Sequence, residues 1–181
     1  MNRFHFLFTC ACLFISSEIF SQTKTSNDTI HWRESKPLSW TDFKGKPKSG
    51  MSGQAFCMLE ANYEKPNPLK KTKFKIAAVW YKSKSWIESS SKTEGELLYY
   101  QVLFSIYEAH ARKLRKEFIE TKFGLNPEKE FREKYNSAAE SLTDESNEYR
   151  DETKEGEDKE AVKKWDVKEK EELKKLEKFG E

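Results

Sequence analysis

Few side chains in this sequence could do chemistry, and their spacing works against most reactions. Past the first 21 positions the chain holds one cysteine, Cys57, and two histidines, His31 and His110. A nucleophilic thiol needs a base beside it. Cys57 instead lies in "GQAFCMLEANY", an alternating, strand-like run, and reads as a buried apolar thiol. Glu108 and His110 are close in sequence, but two steps along a helix turn their side chains about 200° apart. Ser89, Ser90 and Ser91 in "SSSKTEGE" have no Ser–His–acid spacing and read as a loop leading into a helix. "FKGKPKSG" is basic and contains glycine, yet it lacks the G-x-x-x-x-G-K-S/T pattern and a strand–helix setting. It reads as a solvated turn. From these residues we expect no metal and no other cofactor.

The elements that would position these residues fall into two halves. "IHW" predicts a short strand, and "LSWTDFKGKP" an aromatic segment running into a Gly/Pro loop. The runs around Gln54–Tyr63 and Thr72–Tyr81 alternate as strands do, with Pro66 and Pro68 between them. In the second, Phe74, Ile76, Ala78 and Trp80 alternate with Lys73, Lys75 and Ala77, as on a half-buried strand. Helical spacing follows. "ELLYYQVLFSIYEAHARKLRK", Glu96 to Lys116, is amphipathic, with Thr93 or Ser91 as cap and Glu94 and Glu96 suiting the helix dipole. The helix should run to Lys122 and stop at Gly124. A second should start with Asn126 as cap and Pro127 at its first position, and break at Gly156. A third should place Val162, Trp165, Leu173 and Leu176 near one face. Strands precede helices, so the class is α+β, a small antiparallel sheet packed on a long central helix, followed by C-terminal helices.

Composition bounds the rest. Of 181 residues, 35% are charged and 36% hydrophobic, and the formal net charge is +2. That balance gives no single-sign field to attract a nucleic acid. "ARKLRK" reads as a solvated basic helix face with Leu114 docked in the core. The start, "MNRFHFLFTCACLFISSEIFSQTK", has a basic n-region ending at Arg3, an apolar run from Phe4 to Ile15, and Ser21 before Gln22. Residues 1–21 therefore read as a secretory signal peptide, 22–29 as a disordered linker, and 30–179 as one domain. The apolar run is too short to span a bilayer. Cys10 and Cys12 lie inside it without a good lipobox, so a lipid anchor is the lesser reading. Cleavage would leave Cys57 without a disulfide partner.

Six landmarks occur in order: "IHW", "LSWTDFKGKP", "SW" at Ser85–Trp86, "ARKLRK" at Ala111–Lys116, "YRDETKEG" at Tyr149–Gly156, and Trp165. Together, over roughly Ile30 to Leu176, they resemble a bacterial family of predicted secreted zinc-dependent proteases, long listed as a domain of unknown function. The resemblance implies a zincin-like fold. Its helix carries H-E-Q-x-H-F-D-I before the basic segment, where two His four residues apart bind zinc and the Glu polarises a metal-bound water. Counting back from "ARKLRK" puts the first His at Tyr99, the Glu at Tyr100 and the second His at Leu103. Gln101, Phe104, Ile106, Glu108 and Arg112 match the family, Ser105 replaces its Asp, and His110 stands at an aromatic position. The His of the family's Y-D-x-E-T-x-H-G, a further candidate ligand, falls at Glu155.

By that resemblance the chain is a degenerate member. Tyr100 is no base at neutral pH, since a tyrosine ordinarily titrates near about 10, and Leu103 has no lone pair. Tyr99 and Leu103, at i and i+4, would share one face and fill the former cleft. The implied function is that of a secreted pseudoenzyme, not an enzyme, that binds an unknown protein or peptide partner or serves the envelope. The alternatives are a zinc-dependent peptidase with non-standard ligands, drawing on Glu108, His110 and Glu155, or an apolar-ligand binder in the old cleft. Localisation would be secreted or periplasmic, with no membrane span. Mass spectrometry of the exported protein is expected to show a chain starting at Gln22; an intact Met1 in the soluble cytoplasmic fraction would overturn the signal-peptide reading.

Overall fold

A computed structural model describes residues 28–64, 72–124 and 127–181. The residues read as a signal peptide, most of the proposed linker, Pro66, Pro68 and the expected cap Asn126 lie outside them. The class is α+β. Strands β1 (Thr29–His31), β2 (Gly53–Gln54), β3 (Cys57–Tyr63), β4 (Phe74–Tyr81) and β5 (Trp86–Ile87) precede helices α1 (Glu94–Glu120), α2 (Glu128–Glu152) and α3 (Lys159–Lys175). Three strands form one antiparallel sheet in the order β1-β4-β3, and β2 pairs with β5 in a second.

Thr29 pairs with Tyr81, and Asp28 accepts from the Ser83 backbone N–H at 2.8 Å. Thr29 is therefore part of the sheet. Strand β4 is also more buried than a half-exposed strand. Ile76, Ala77, Ala78, Val79 and Trp80, on both faces of this centre strand, are all buried. Its Ile76, Ala78 and Trp80 join the main core with Leu103, Phe104 and Ile106 of α1.

Thr93 caps α1, its hydroxyl accepting from the Glu96 N–H at 3.2 Å. The helix stops at Glu120 rather than Lys122. Thr121 turns to an extended conformation (ψ 133°), and its hydroxyl donates to the Glu117 carbonyl at 2.7 Å. Pro127 is the cap of α2 rather than its first helical residue, and its carbonyl accepts from the Phe131 N–H at 2.8 Å. In α3, Asp158 caps the helix through the Ala161 N–H at 3.0 Å.

The turn from α2 to α3 is the most constrained backbone described. Lys154, Glu155 and Gly156 all have positive φ, at 51°, 55° and 93°. Thr153 anchors the turn, its hydroxyl donating to the Tyr149 carbonyl at 2.6 Å and its own carbonyl accepting from the Asp158 N–H at 2.9 Å. Glycine is required at the third position for two reasons. Its φ lies in the left-handed region, and a Cβ there would stand 2.9 Å from Tyr99 Cγ. Gly156→Ala is expected to destabilise the protein by about 1–3 kcal/mol, read as a lowered urea midpoint with an unchanged slope.

Candidate functional site

Of the six landmarks, "ARKLRK" is part of α1, and the segments carrying Trp32, Leu38–Phe43 and Tyr149 meet that helix directly. The Trp32 indole N–H donates to the Ser105 hydroxyl at 3.3 Å, and the Arg112 guanidinium lies over the Trp32 ring at 5.2 Å. The Gln101 amide donates to the Leu38 carbonyl at 2.7 Å, and the Trp80 indole N–H to the Asp42 carbonyl at 3.0 Å. These two bonds hold "LSWTDF" against the helix and sheet, with Phe43 packed 5.1 Å from Tyr100 and 5.0 Å from Trp80. The hydroxyl of the fully buried Ser85 accepts from the Phe56 N–H at 3.0 Å. Tyr149 reaches α1 from the far side and donates its hydroxyl to the Tyr99 carbonyl at 2.9 Å. Trp165 packs edge-on to Tyr149 at 5.2 Å.

Tyr99, Tyr100 and Leu103 are all buried, at 6%, 5% and 2% exposure. The Tyr99 ring stacks on Tyr149 at 5.1 Å and 17°, and meets Tyr100 edge-on at 5.2 Å. Glu155 is exposed, but its neighbour Gly156 sits against the Tyr99 ring, so the turn carrying the fourth motif position does arrive beside the first. Burial pushes the Tyr99 phenol up to about 12; the Arg150 charge opposes this, and the carboxylates of Glu155 and Glu96 add to it. Burial and then Glu96 push Tyr100 higher still. Both phenols therefore stay protonated near neutral pH and offer no base.

Glu108 and His110 are both buried and engaged with different partners. The Glu108 carboxylate accepts from Arg112 Nε at 2.9 Å and from Arg115 Nη1 and Nη2 at 3.0 and 3.3 Å. Arg112 stands at i+4 from Glu108, a spacing visible in the sequence itself, whereas Arg115 was missed. "ARKLRK" is thus not a solvated face. Leu114 is buried as expected, but Arg112 and Arg115 are turned inward, their side chains 10% and 13% exposed, because Glu108 and a set of carbonyls receive them. Arg112 also donates to the Leu173 carbonyl at 2.7 Å, and Arg115 to the Ile76 and Phe179 carbonyls, both at 2.8 Å.

His110 Nε2 lies 2.8 Å from Glu145 Oε2 on α2, and Lys168 donates to the other Glu145 oxygen at 2.9 Å. His110, then Lys168, hold the Glu145 carboxyl down to about 2. Among the described residues no three His, Cys, Asp or Glu side chains are grouped to hold a metal ion, and no helix is long and apolar enough to cross a membrane. Cys57 is half-buried against the core, and burial raises its thiol well above the ordinary range. His31 lies at the surface, 3.8 Å from Glu181.

Sequence reasoning also missed Glu169. Its position, one turn from both Trp165 and Leu173 on the stripe that docks α3, was the available signal. Compared with models of known families, with curated proteins and with solved structures, the chain matches none of them. Removing one partner from a buried ion pair leaves the other uncompensated. Glu108→Ala is expected to cost about 3–5 kcal/mol in chemical denaturation, far more than the loss of an exposed pair such as Arg132–Glu128.

Proposed function

We propose that the protein is a secreted, non-catalytic member of the zinc-dependent protease family that its landmarks resemble, a pseudoenzyme on a zincin-like scaffold. It would act by binding a protein or peptide partner or through a structural role in the envelope. The observation that carries this reading is the packing of Tyr99, Tyr100 and Leu103. Residues aligned with two ligands and a base form a continuous apolar layer with Tyr149, Phe43 and Trp80. Tyr99 and Leu103 stand one turn apart on α1, where the ligand pair would have converged.

The same layer explains why such replacements would be kept together. A histidine or glutamate at these positions, without a metal, would be a buried polar group lacking a partner. Burying Leu103 in its place stabilises by roughly 1.5–3 kcal/mol. The other two readings are less well supported. A ligand set built from Glu108, His110 and Glu155 would have to draw Glu108 from two arginines and His110 from Glu145. An apolar ligand at Tyr99 and Tyr100 would have to displace Tyr149, Phe43 or the Gly156 turn.

Thermal melts with and without EDTA test the reading, since a fold that owes nothing to metal is indifferent to a chelator. Equal melting temperatures and no stoichiometric zinc by elemental analysis are the expected result. A large chelator-induced drop with about one zinc per chain would overturn it. Leu103→His should also lose stability, by about 2–5 kcal/mol, without gaining peptidase activity. A variant as stable as the parent would refute the filled-cleft argument.

A further inference from the structure

Glu169 differs from every other buried charged side chain described. It is 1% exposed, lies in the apolar stripe of α3 between Trp165 and Leu173, and neither of its carboxyl oxygens has a hydrogen-bond partner. On α2, the buried hydroxyl of Ser146 is in the same condition. Helix register places the two in one layer. Tyr149 meets Trp165 at 5.2 Å, and Glu145 meets Lys168 at 2.9 Å, so α2 and α3 run antiparallel. One turn back along α2 from Tyr149, and one turn on along α3 from Trp165, brings Ser146 level with Glu169.

The charged groups around this layer are committed elsewhere. Glu145 faces it from α2, held by His110 of α1 at 2.8 Å and by Lys168 of α3 at 2.9 Å. Lys113 of α1 lies 3.8 Å from Glu145 and 3.5 Å from Glu172 of α3. No cation therefore pairs with Glu169. A carboxylate buried without donors is strongly disfavoured, and taking up a proton relieves the cost.

We propose that Glu169 is a proton-binding switch within α3: as the neutral acid it lets the middle of the helix close on α1 and α2, and its deprotonation loosens that stretch. The helix is held independently at both ends. Lys159 donates to the Gly156 carbonyl and the Trp165 indole to Glu152 at one end, while Arg112 and Arg115 hold the Leu173 and Phe179 carbonyls at the other. The response is therefore local rather than a loss of the whole fold.

Burial, then the Glu145 carboxylate, push the Glu169 carboxyl up to about 7 from an ordinary 4.5, with Lys168 and Lys113 opposing more weakly. Between those values the closed state binds the extra proton. Closure is favoured most fully below the ordinary value, and that advantage is lost as pH rises through about 7. Glu145 acts in the opposite sense, but in a separate acidic window. Its folded-state value is about 2 against an ordinary 4.5, so its stabilisation is lost only as pH falls through that lower range.

Hydrogen exchange of α3 backbone amides at about pH 5.5 and about pH 8, corrected for the intrinsic rate, reads the opening equilibrium. In the parent chain, opening around Glu169 is expected to rise on the order of tenfold between the two conditions. Glu169→Gln should abolish the rise, and the volume-matched Glu169→Leu should do the same. Ser146→Ala and His110→Gln should retain it. Infrared difference spectra should show the carbonyl band of a protonated carboxylic acid at the lower pH in the parent and not in Glu169→Gln. A parent with no pH response, a response that survives in both Glu169 variants, or one that disappears in His110→Gln overturns the proposal.

Discussion

One buried carboxylate holds together parts of the molecule that the chain makes far apart. Glu108 lies mid-way along α1 and faces two guanidinium groups from its own helix. Those arginines turn their remaining donors on carbonyls of β4, the end of α3 and the C-terminal turn. The arginines can be buried because Glu108 offsets their charge, and Glu108 can be buried because two arginines satisfy it. Each carbonyl that they reach is also a backbone acceptor that would otherwise need a partner. Sheet, central helix and chain end are thereby fixed in one geometry.

On other parts of its surface, α1 meets different chemistry. Tyr99, Tyr100, Leu103 and Phe104 form an aromatic and aliphatic layer with Phe43, Trp80 and Tyr149. His110 leaves α1 for Glu145, and that pair draws in Lys168. Any function built on this helix has to work with the groups so engaged.

The polar groups of the helical half are unequally satisfied. Glu108 accepts from both arginines, Glu145 accepts one hydrogen bond on each oxygen, and Glu169 accepts none. The three carboxyls share a residue type and a helical setting. What differs is whether a cation, from the same helix or from a neighbouring one, reaches them. Lys168 stands beside Glu169 in sequence, yet a neighbouring residue points to a different face of the helix, and its charge goes to Glu145.

Periodicity determined the strands and helices. The alternation of Phe74, Ile76, Ala78 and Trp80 and the helical spacing through "ELLYYQVLFSIYEAHARKLRK" depend on neighbouring residues, so a sequence carries them openly. The Thr93 cap and the Glu108–Arg112 spacing were legible for the same reason, since each spans only a few residues, whereas α2 ends at Glu152, ahead of the expected break at Gly156. The inward turn of Arg115 was not, because its acceptors at Ile76 and Phe179 are distant in sequence. Nor was the burial of both faces of β4 from Ile76 to Trp80, which depends on elements distant in sequence. Glu169 shows the boundary most clearly. Its place on the α3 stripe was there to be read, but its burial without a hydrogen-bond partner exists only once the helices have packed.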